Sequence, residues 1–411
     1  MGKTDKQRVE IMGRVSSGDL TLVGASVLLE LCVRQVRRLL VRYEASPSSM
    51  AHAGRGRAGP GKTSAEVCAR VVTLRREKYA MCNDRDFAER LAADEGIVLG
   101  REKVRQLSRA AGIGPLKVRR KPKHRARRER RAREGEMIQW DGSTHDWLEG
   151  RGPKLCLMGA VDDATGELLP GAQFYMQECG EGYLRILFAL AETRGLPHTI
   201  YGDKHSSLRR NDDYWTIEEE RNGKQSPTHV QRAIRALGIE QIDAHSPQAK
   251  GRVERGWGTH QDRLVAALTL ANAATIDEAN EVLQGYLKAH NRRFKKLAKD
   301  PEAAWRTLPQ HMSLVRTCAY RYEATVDNAN TVRVGGKAGV VIDIPPGPHG
   351  RSYAKAKVEV FQTLDGSWLV DFKGQCIAKH ASTALGDLRA LRHRTKNLVG
   401  RARKEPTRIA A

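Results

Sequence analysis

Apolar residues in the first 111 positions recur at the three- and four-residue spacing of helices, in short runs. Between 5 and 44 there are three such runs. Val9, Met12 and Val15 share a face of the first, and Thr21 opens the second, with Val23, Val27 and Leu28 apolar. A turn at Leu31-Cys32 leads into 33–43, with Val36, Leu39 and Leu40 inward and Arg34, Gln35, Arg37, Arg38 and Arg42 outward. A second trio follows. Its first helix, 66–79, rests on Val67, Val71 and Leu74; the next is capped by Asn83, rests on Phe87 and Leu91, and breaks at Gly96. The third, 101–111, turns Val104 and Leu107 inward and Arg101, Lys103, Arg105, Gln106 and Arg109 outward. From 136 the grammar mixes. Strand patterns at 137–142, 154–161, 172–176, 198–203 and 240–244 are interleaved with helices at 181–194 and 228–237. After the break at Ser246-Pro247 comes a helix whose stripe is Val253, Trp257, Leu264 and Leu268, then another at 276–294. Beyond 309 the period is two, at 320–326, 331–334, 340–344, 358–362 and 368–372, with Asp365-Gly366 as a hairpin turn.

These elements predict a multidomain α+β protein. Residues 1–45 have the layout of a helix-turn-helix, whose last helix enters the major groove. Arg suits guanine edges there and Gln adenine edges. The turn holds Glu30 where many such turns carry Gly, and a small dimerising helical bundle competes with this reading. Residues 46–63 form a linker rich in Ser, Gly, Pro and Arg, and 64–115 a second helix-turn-helix, winged or not. The stretch 116–135 is dense in Lys and Arg, including Arg119, Arg120, Lys121, Arg127 and Arg128, and should not pack. It reads as a basic linker lying on phosphates, or as a solvated tether. Residues 136–306 form an α/β core, 307–385 a small β-barrel of SH3-like size, and 386–411 a basic tail.

Charge sharpens the picture. The 411 residues hold 71 Lys and Arg against 48 Asp and Glu, a net charge of +23. That excess points to a polyanionic partner, above all double-stranded nucleic acid. The seven cysteines are scattered and lack Cys-x-x-Cys spacing, which suits reduced thiols and argues against a zinc knuckle. No apolar run reaches membrane-span length and no signal peptide opens the chain, so a cytoplasmic protein that associates with the nucleoid is expected.

Candidate chemistry lies in three carboxylates. Asp141 and Asp203 each close an apolar strand pattern and stand beside Gly. Strand, acid and turn put a side chain at a sheet edge, where sites of α/β folds lie. Glu254 shares a helix face with Lys250 and Gln261, away from the apolar stripe, and is flanked by Arg252 and Arg255. By itself it reads as part of a salt-bridged solvent face. If the two strands are parallel neighbours and this helix packs on them, the acids form a cluster that close like charges would disrupt without a cation. Oxygen donors without Cys or His favour Mg²⁺ or Mn²⁺. Asp146, Asp162 and Asp163 sit at turns, where Asp usually serves backbone hydrogen bonds. His205 and His245 flank the acids, to orient water or phosphate or simply to pack.

Gln-Trp-Asp-Gly around Asp141, Tyr-Gly-Asp around Asp203, and Ser-Pro-Gln-Ala-Lys-Gly-Arg-Val-Glu-Arg around Glu254 together resemble the DDE transposase and retroviral-type integrase superfamily. The likeness is greatest to ISNCY-type bacterial insertion-sequence transposases. The last motif is the most specific, matched by Pro247, Gln248, Gly251, Val253, Glu254 and Arg255. The resemblance spans roughly 136–306. It implies an RNase H-like core, which suits a three-strand meander followed by strand–helix alternation, and a C-terminal barrel. It also implies a metal-dependent transposase with Asp141, Asp203 and Glu254 as catalytic ligands of two Mg²⁺ (or Mn²⁺) ions. Two such ions would activate the attacking oxygen and stabilise the leaving 3′ oxygen. Water would nick a transposon end and the freed 3′-OH would attack target DNA, in a homo-oligomer assembled on DNA. Arg34, Gln35, Arg38, Arg42, Arg101, Arg105, Gln106 and Arg109 would read the terminal repeats, with Lys250, Arg252 and Arg255 beside the acids. The spacing departs from retroviral integrases: 206–227, with Asp212-Asp213-Tyr214-Trp215, looks inserted. A DNA-binding regulator with an inactive core and a nuclease without strand transfer remain as alternatives.

Overall fold

Thr21 starts the second helix by accepting the Gly24 N–H on its hydroxyl, at 3.1 Å. This satisfies one of the orphan donors of a helix start. The result is a three-helix unit of α1 (Lys3–Ser16), α2 (Leu22–Leu29) and α3 (Val33–Ala45). It closes over Ile11, Met12, Ala25 and Val36. Val23, Val27 and Leu28 stand exposed, because α2 is apolar all round and its packed face is the one with Ala25. Glu30 sits at φ 55°, the left-handed conformation that Gly adopts without cost. The structure is a computed structural model describing residues 3–46, 63–116, 129–210, 215–243, 253–335, 339–381 and 407–409. The linker positions 47–62, the basic stretch 117–128 and nearly all of the tail lie outside these. The chain divides into two compact units, Met1–Val72 and Thr73–Ala411.

Helix α4 (Ala65–Glu77) runs across that division, followed by α5 (Asp84–Asp94) and α6 (Arg101–Ala110). Asn83 caps α5 by accepting the N–H groups of Arg85 and Asp86 at 3.1 and 2.9 Å. Arg75, which the apolar pattern would put outside, is buried; it donates to the carbonyls of Tyr79 (2.9 Å) and Cys82. It thus satisfies carbonyls that the chain leaves open between α4 and α5.

The core is a mixed sheet of β1 (Met137–His145), β2 (Leu155–Asp162), β3 (Gln173–Tyr175), β4 (Thr199–Gly202) and β5 (Glu240–Asp243). Its order is β3-β2-β1-β4-β5. The first three strands are antiparallel, and β4 and β5 join parallel to β1. Helices cover both faces, which is why β2 is buried along its whole length. On one face α7 (Gly180–Thr193) and α9 (His229–Ala236) bury Leu184, Leu187, Val230 and Ile234 against Ile138, Trp140 and Met158. On the other, α10 (Val253–Leu270) and α11 (Ile276–Phe294) bury Val253, Trp257, Leu264 and Leu268 against Leu155, Leu157 and Phe174. β1 does not stop at Gly142; it runs on to His145 because β2 continues to supply a partner. The described end of the basic stretch also packs. Arg130 donates to the carbonyls of Asp163 and Ala164, and the Arg131 N–H to Asp163 Oδ2.

The C-terminal β-barrel expected from the alternation does not form. Strands β6 (Tyr320–Thr325), β9 (Lys357–Gln362), β10 (Trp368–Phe372) and β11 (Gln375–His380) make an antiparallel sheet in the order β11-β10-β9-β6. Strands β7 (Thr331–Val334), β8 (Val340–Asp343) and β12 (Thr407–Ile409) make a second, in the order β12-β8-β7. Neither sheet closes among the described residues. They share a core of Val332, Val334, Ile342, Val358, Val360, Trp368 and Val370, so burial is achieved by two facing layers. A single bond from His380 Nε2 to the Asp343 carbonyl spans the two sheets where a barrel would need a ladder.

Candidate functional site

The ladder between β1 and β4 ends at Gln139–Tyr201, while β1 continues along β2. The two parallel strands therefore part at the level of Asp141 and Asp203, each two residues beyond the last pair. Strand alternation sends Ile138 and Trp140 into the α7 side and leaves Asp141 on the α10 side. There Trp257 donates its indole N–H to Asp141 Oδ2 at 3.2 Å. Gly159, opposite Asp141 on β2, makes room for this ring: a Cβ there would stand 3.2 Å from Trp257 Cη2. One turn further along α10, Gln261 donates to Ser143 Oγ at 3.3 Å. Helix α10 thus tracks along β1 past Asp141. Glu254 lies in α10 one turn before Trp257, and its side chain lies outside the described residues.

Asp203 begins a tight turn, its Oδ1 accepting the His205 N–H at 2.9 Å. A further acid, Glu178, reaches the same place from the connection between β3 and α7. Its Oε1 accepts the Tyr183 hydroxyl at 2.5 Å and lies 3.3 Å from His205 Nδ1. Gly142 admits it, since a Cβ there would come within 2.7 Å of Glu178 Oε2. Burial raises the Glu178 pKa, with the charges of Asp203 and Asp141 adding and the Tyr183 bond and His205 opposing. Burial, and then Glu178, holds the Tyr183 hydroxyl well above its ordinary range. Burial likewise pushes the Cys156 thiol, beside Gly142, up to about 11, so it is protonated at neutral pH. The apolar periodicity of α7 concealed Glu178; the bare Gly142 on a central strand was its one trace in the sequence.

Asp162 and Asp163 serve structure. Asp162 accepts Gly135 N, Thr165 N and Thr165 Oγ1, and Asp163 accepts Gln139 Nε2 and Arg131 N. Asp146 accepts the Gly150 N–H. Among the described residues no group of three or more His, Cys, Asp or Glu is arranged to hold a metal ion. The inserted segment carries α8 (Ile217–Asn222), capped by Thr216 and anchored through Glu219 to Arg210 and the Ser226 N–H. Trp215 and Ile217 are exposed on it, while 211–214 lie outside the described residues.

The basic candidates are spread out. Arg34, Gln35, Arg38 and Arg42 are exposed on α3, and Arg101, Arg105 and Gln106 on α6. Arg105 and Gln106 both bond Glu102. Arg109 turns inward, to Asp84 at 2.7 Å and the Ile113 carbonyl at 2.8 Å. Arg255 is exposed at the start of α10. Arg119, Arg120, Lys121, Arg127, Arg128, His245, Lys250 and Arg252 lie outside the described residues.

No family model matches the chain. It is 36% identical over 295 residues to y4bF of Sinorhizobium fredii, which carries the name of a transposase; the match covers 72% of this chain. The chain spans 63% of the length of that relative. The transposase for insertion sequence IS1202 of Streptococcus pneumoniae is 28% identical, with 89% of this chain and 83% of the relative covered. Among solved structures, the magnesium complex of the HTLV-2 integrase catalytic core domain aligns with 42% of this chain and 97% of its own. That alignment has 18% identity and a TM-score of 0.29. No helix among the described residues is long and apolar enough to cross a membrane. The chain is a distant homologue of bacterial transposases, which links it to the DDE/RNase H-like superfamily.

Proposed function

We propose that the chain is a DNA transposase of the ISNCY type, which holds the terminal repeats of a mobile element and cuts and joins strands at Asp141, Asp203 and Glu254. The observation that carries this reading is the meeting of Asp141 and Asp203 where β1 and β4 part, beside the helix to which Glu254 belongs. Homology to transposases supports it. Residues 1–45 and 64–115 act as two DNA-reading modules through Arg34, Gln35, Arg38, Arg42, Arg101, Arg105, Gln106 and Arg109. Residues 116–135 track phosphates and 136–306 perform the chemistry, in a homo-oligomer formed on DNA in the cytoplasm.

The donor set is oxygen, which suits Mg²⁺ or Mn²⁺. Asp141 and Asp203, with Glu254, would hold the ions, whose charge would offset that of the phosphodiester and activate the attacking oxygen. The chain's own part is to fix the carboxylates. Trp257 orients Asp141, and the turn at His205 orients Asp203. The indole of Trp257, 5% exposed, also keeps water from the Asp141 side of the site.

A second reading is a DNA-binding protein whose core does not cleave. Taken by themselves, the described residues favour it, because they hold no three-donor metal group. The two separate on duplex DNA flanking the chain's own gene. Magnesium-dependent nicking that disappears in Asp141→Asn, with binding retained, supports the transposase; binding without nicking supports the second reading. A strand-transfer assay then separates transposase from plain nuclease.

A further inference from the structure

Next to the acid pair lies a chain of polar contacts that the three-carboxylate scheme does not use. It starts in the core, where Tyr183 is fully buried and stacks at 4.7 Å between ring centroids on Trp140, the residue before Asp141. Its hydroxyl donates to Glu178 Oε1. The same oxygen lies 3.3 Å from Nδ1 of His205, whose side chain is 32% exposed. The His205 N–H in turn holds Asp203. A rigid aromatic thus anchors a carboxylate, which meets a ring beside the candidate cleavage site.

We infer that Glu178 is a positioning residue that sets the tautomer and orientation of His205, and that His205 orients the attacking hydroxyl of water or of a DNA 3′ end. The inference rests on the transposase reading. The physical argument concerns which ring nitrogen carries hydrogen. Nδ1 lies 3.3 Å from two groups, Glu178 Oε1 and the Ser207 N–H. With Nδ1 bare it accepts from Ser207 and faces the carboxylate lone pairs; with Nδ1 bearing hydrogen it donates to Glu178. A carboxylate is the stronger partner, so the second arrangement wins. Nε2 is then the acceptor, and a hydroxyl is the donor on a nucleophile that such an acceptor can hold. A phosphate oxygen, which only accepts, would not fit it.

Two measurements on the full chain test this. Histidine-nitrogen NMR on labelled protein reads the tautomer directly. His205 should carry hydrogen on Nδ1 in the wild type and lose that preference in Glu178→Ala; hydrogen on Nε2 in the wild type overturns the inference whatever the activity. Single-turnover nicking of end-bearing DNA, with DNA affinity measured in parallel, is the second. Glu178→Ala and His205→Ala should each slow the saturated rate on the order of 10- to 100-fold with affinity within about twofold. The double variant should be no slower than the worse single one, because the two act as a unit. Glu178→Gln keeps an acceptor oxygen and should recover most of the rate. Additive losses, or unchanged rates in the single variants, overturn the inference. A merely structural role would lower the unfolding midpoint and leave the rate intact. Should the wild type itself fail to nick, the transposase reading falls, and the NMR result still decides the Glu178–His205 arrangement.

Discussion

Arg263→Ala tests whether the second helical trio is clamped to the catalytic helix. Arg263 rises from α10 and is 11% exposed. Its Nη1 lies 3.1 Å from Asp86 Oδ1 and 2.8 Å from Glu89 Oε2, both on α5. Its guanidinium also lies 5.0 Å from the ring centroid of Phe294 on α11. Removing one member of a buried ion pair costs about 3–5 kcal/mol, because the other charge stays in the interior. Two features lower that figure here. Asp86 keeps Arg90 at 3.1 Å, and Glu89 keeps Arg293 and Arg85 and is 27% exposed. Loss of the cation–π contact adds about 0.5–1 kcal/mol. The expected sum is about 3 kcal/mol, read as the shift in denaturant midpoint of the full chain at unchanged slope. Arg263→Lys should recover less than half, since one ammonium cannot reach Asp86 and both Glu89 oxygens together. A loss below about 1 kcal/mol, or a lysine variant as stable as the wild type, would refute the clamp.

Three further outcomes are expected. His260 and His290, joined through the Tyr286 hydroxyl between α10 and α11, are pushed down to about 3 and about 4, in both cases by burial first. The unfolded chain takes up these protons near pH 6.5 and the folded chain does not. Stability should therefore be full above that pH and fall by roughly 2 kcal/mol per histidine by pH 5, continuing down towards pH 3–4; a melting temperature flat from pH 7 to 5 would contradict this. Glu30→Gly should raise stability by about 0.5–1 kcal/mol, because it relieves a left-handed residue at some cost in chain entropy, and Glu30→Val should lower it. Gly202→Ala should cost about 1–3 kcal/mol by overpacking and slow nicking, since its Cβ would stand 2.5 Å from Trp140 Nε1 beside Asp203; an unchanged melting temperature would disprove the tight approach.

What the sequence made legible follows from what periodicity encodes. Apolar spacing fixes which face of an element is buried, so the stripe Val253, Trp257, Leu264 and Leu268 and the buried run of β2 could be read from spacing alone. It does not encode which strand edges meet. The alternation beyond 309 gave five of the C-terminal strands and missed β11 and β12, and pairing over long sequence separations then placed them in two facing sheets. Nor does it reveal a polar residue that tertiary contact draws inward. Arg75, Asp86 and Arg263 look like surface charges until the elements around them are assembled. The candidate site combines both kinds of information. Asp141 and Asp203 were visible because each ends an apolar strand pattern beside Gly, and their shared level follows from two parallel strands in register. Glu178 was not visible, because the feature that admits it is a missing Cβ at Gly142, on a strand that the sequence would have stopped there. A glycine inside a buried central strand costs stability. Where the strand continues through it, that cost marks the close approach of another group, and here the group is a carboxylate beside the acid pair.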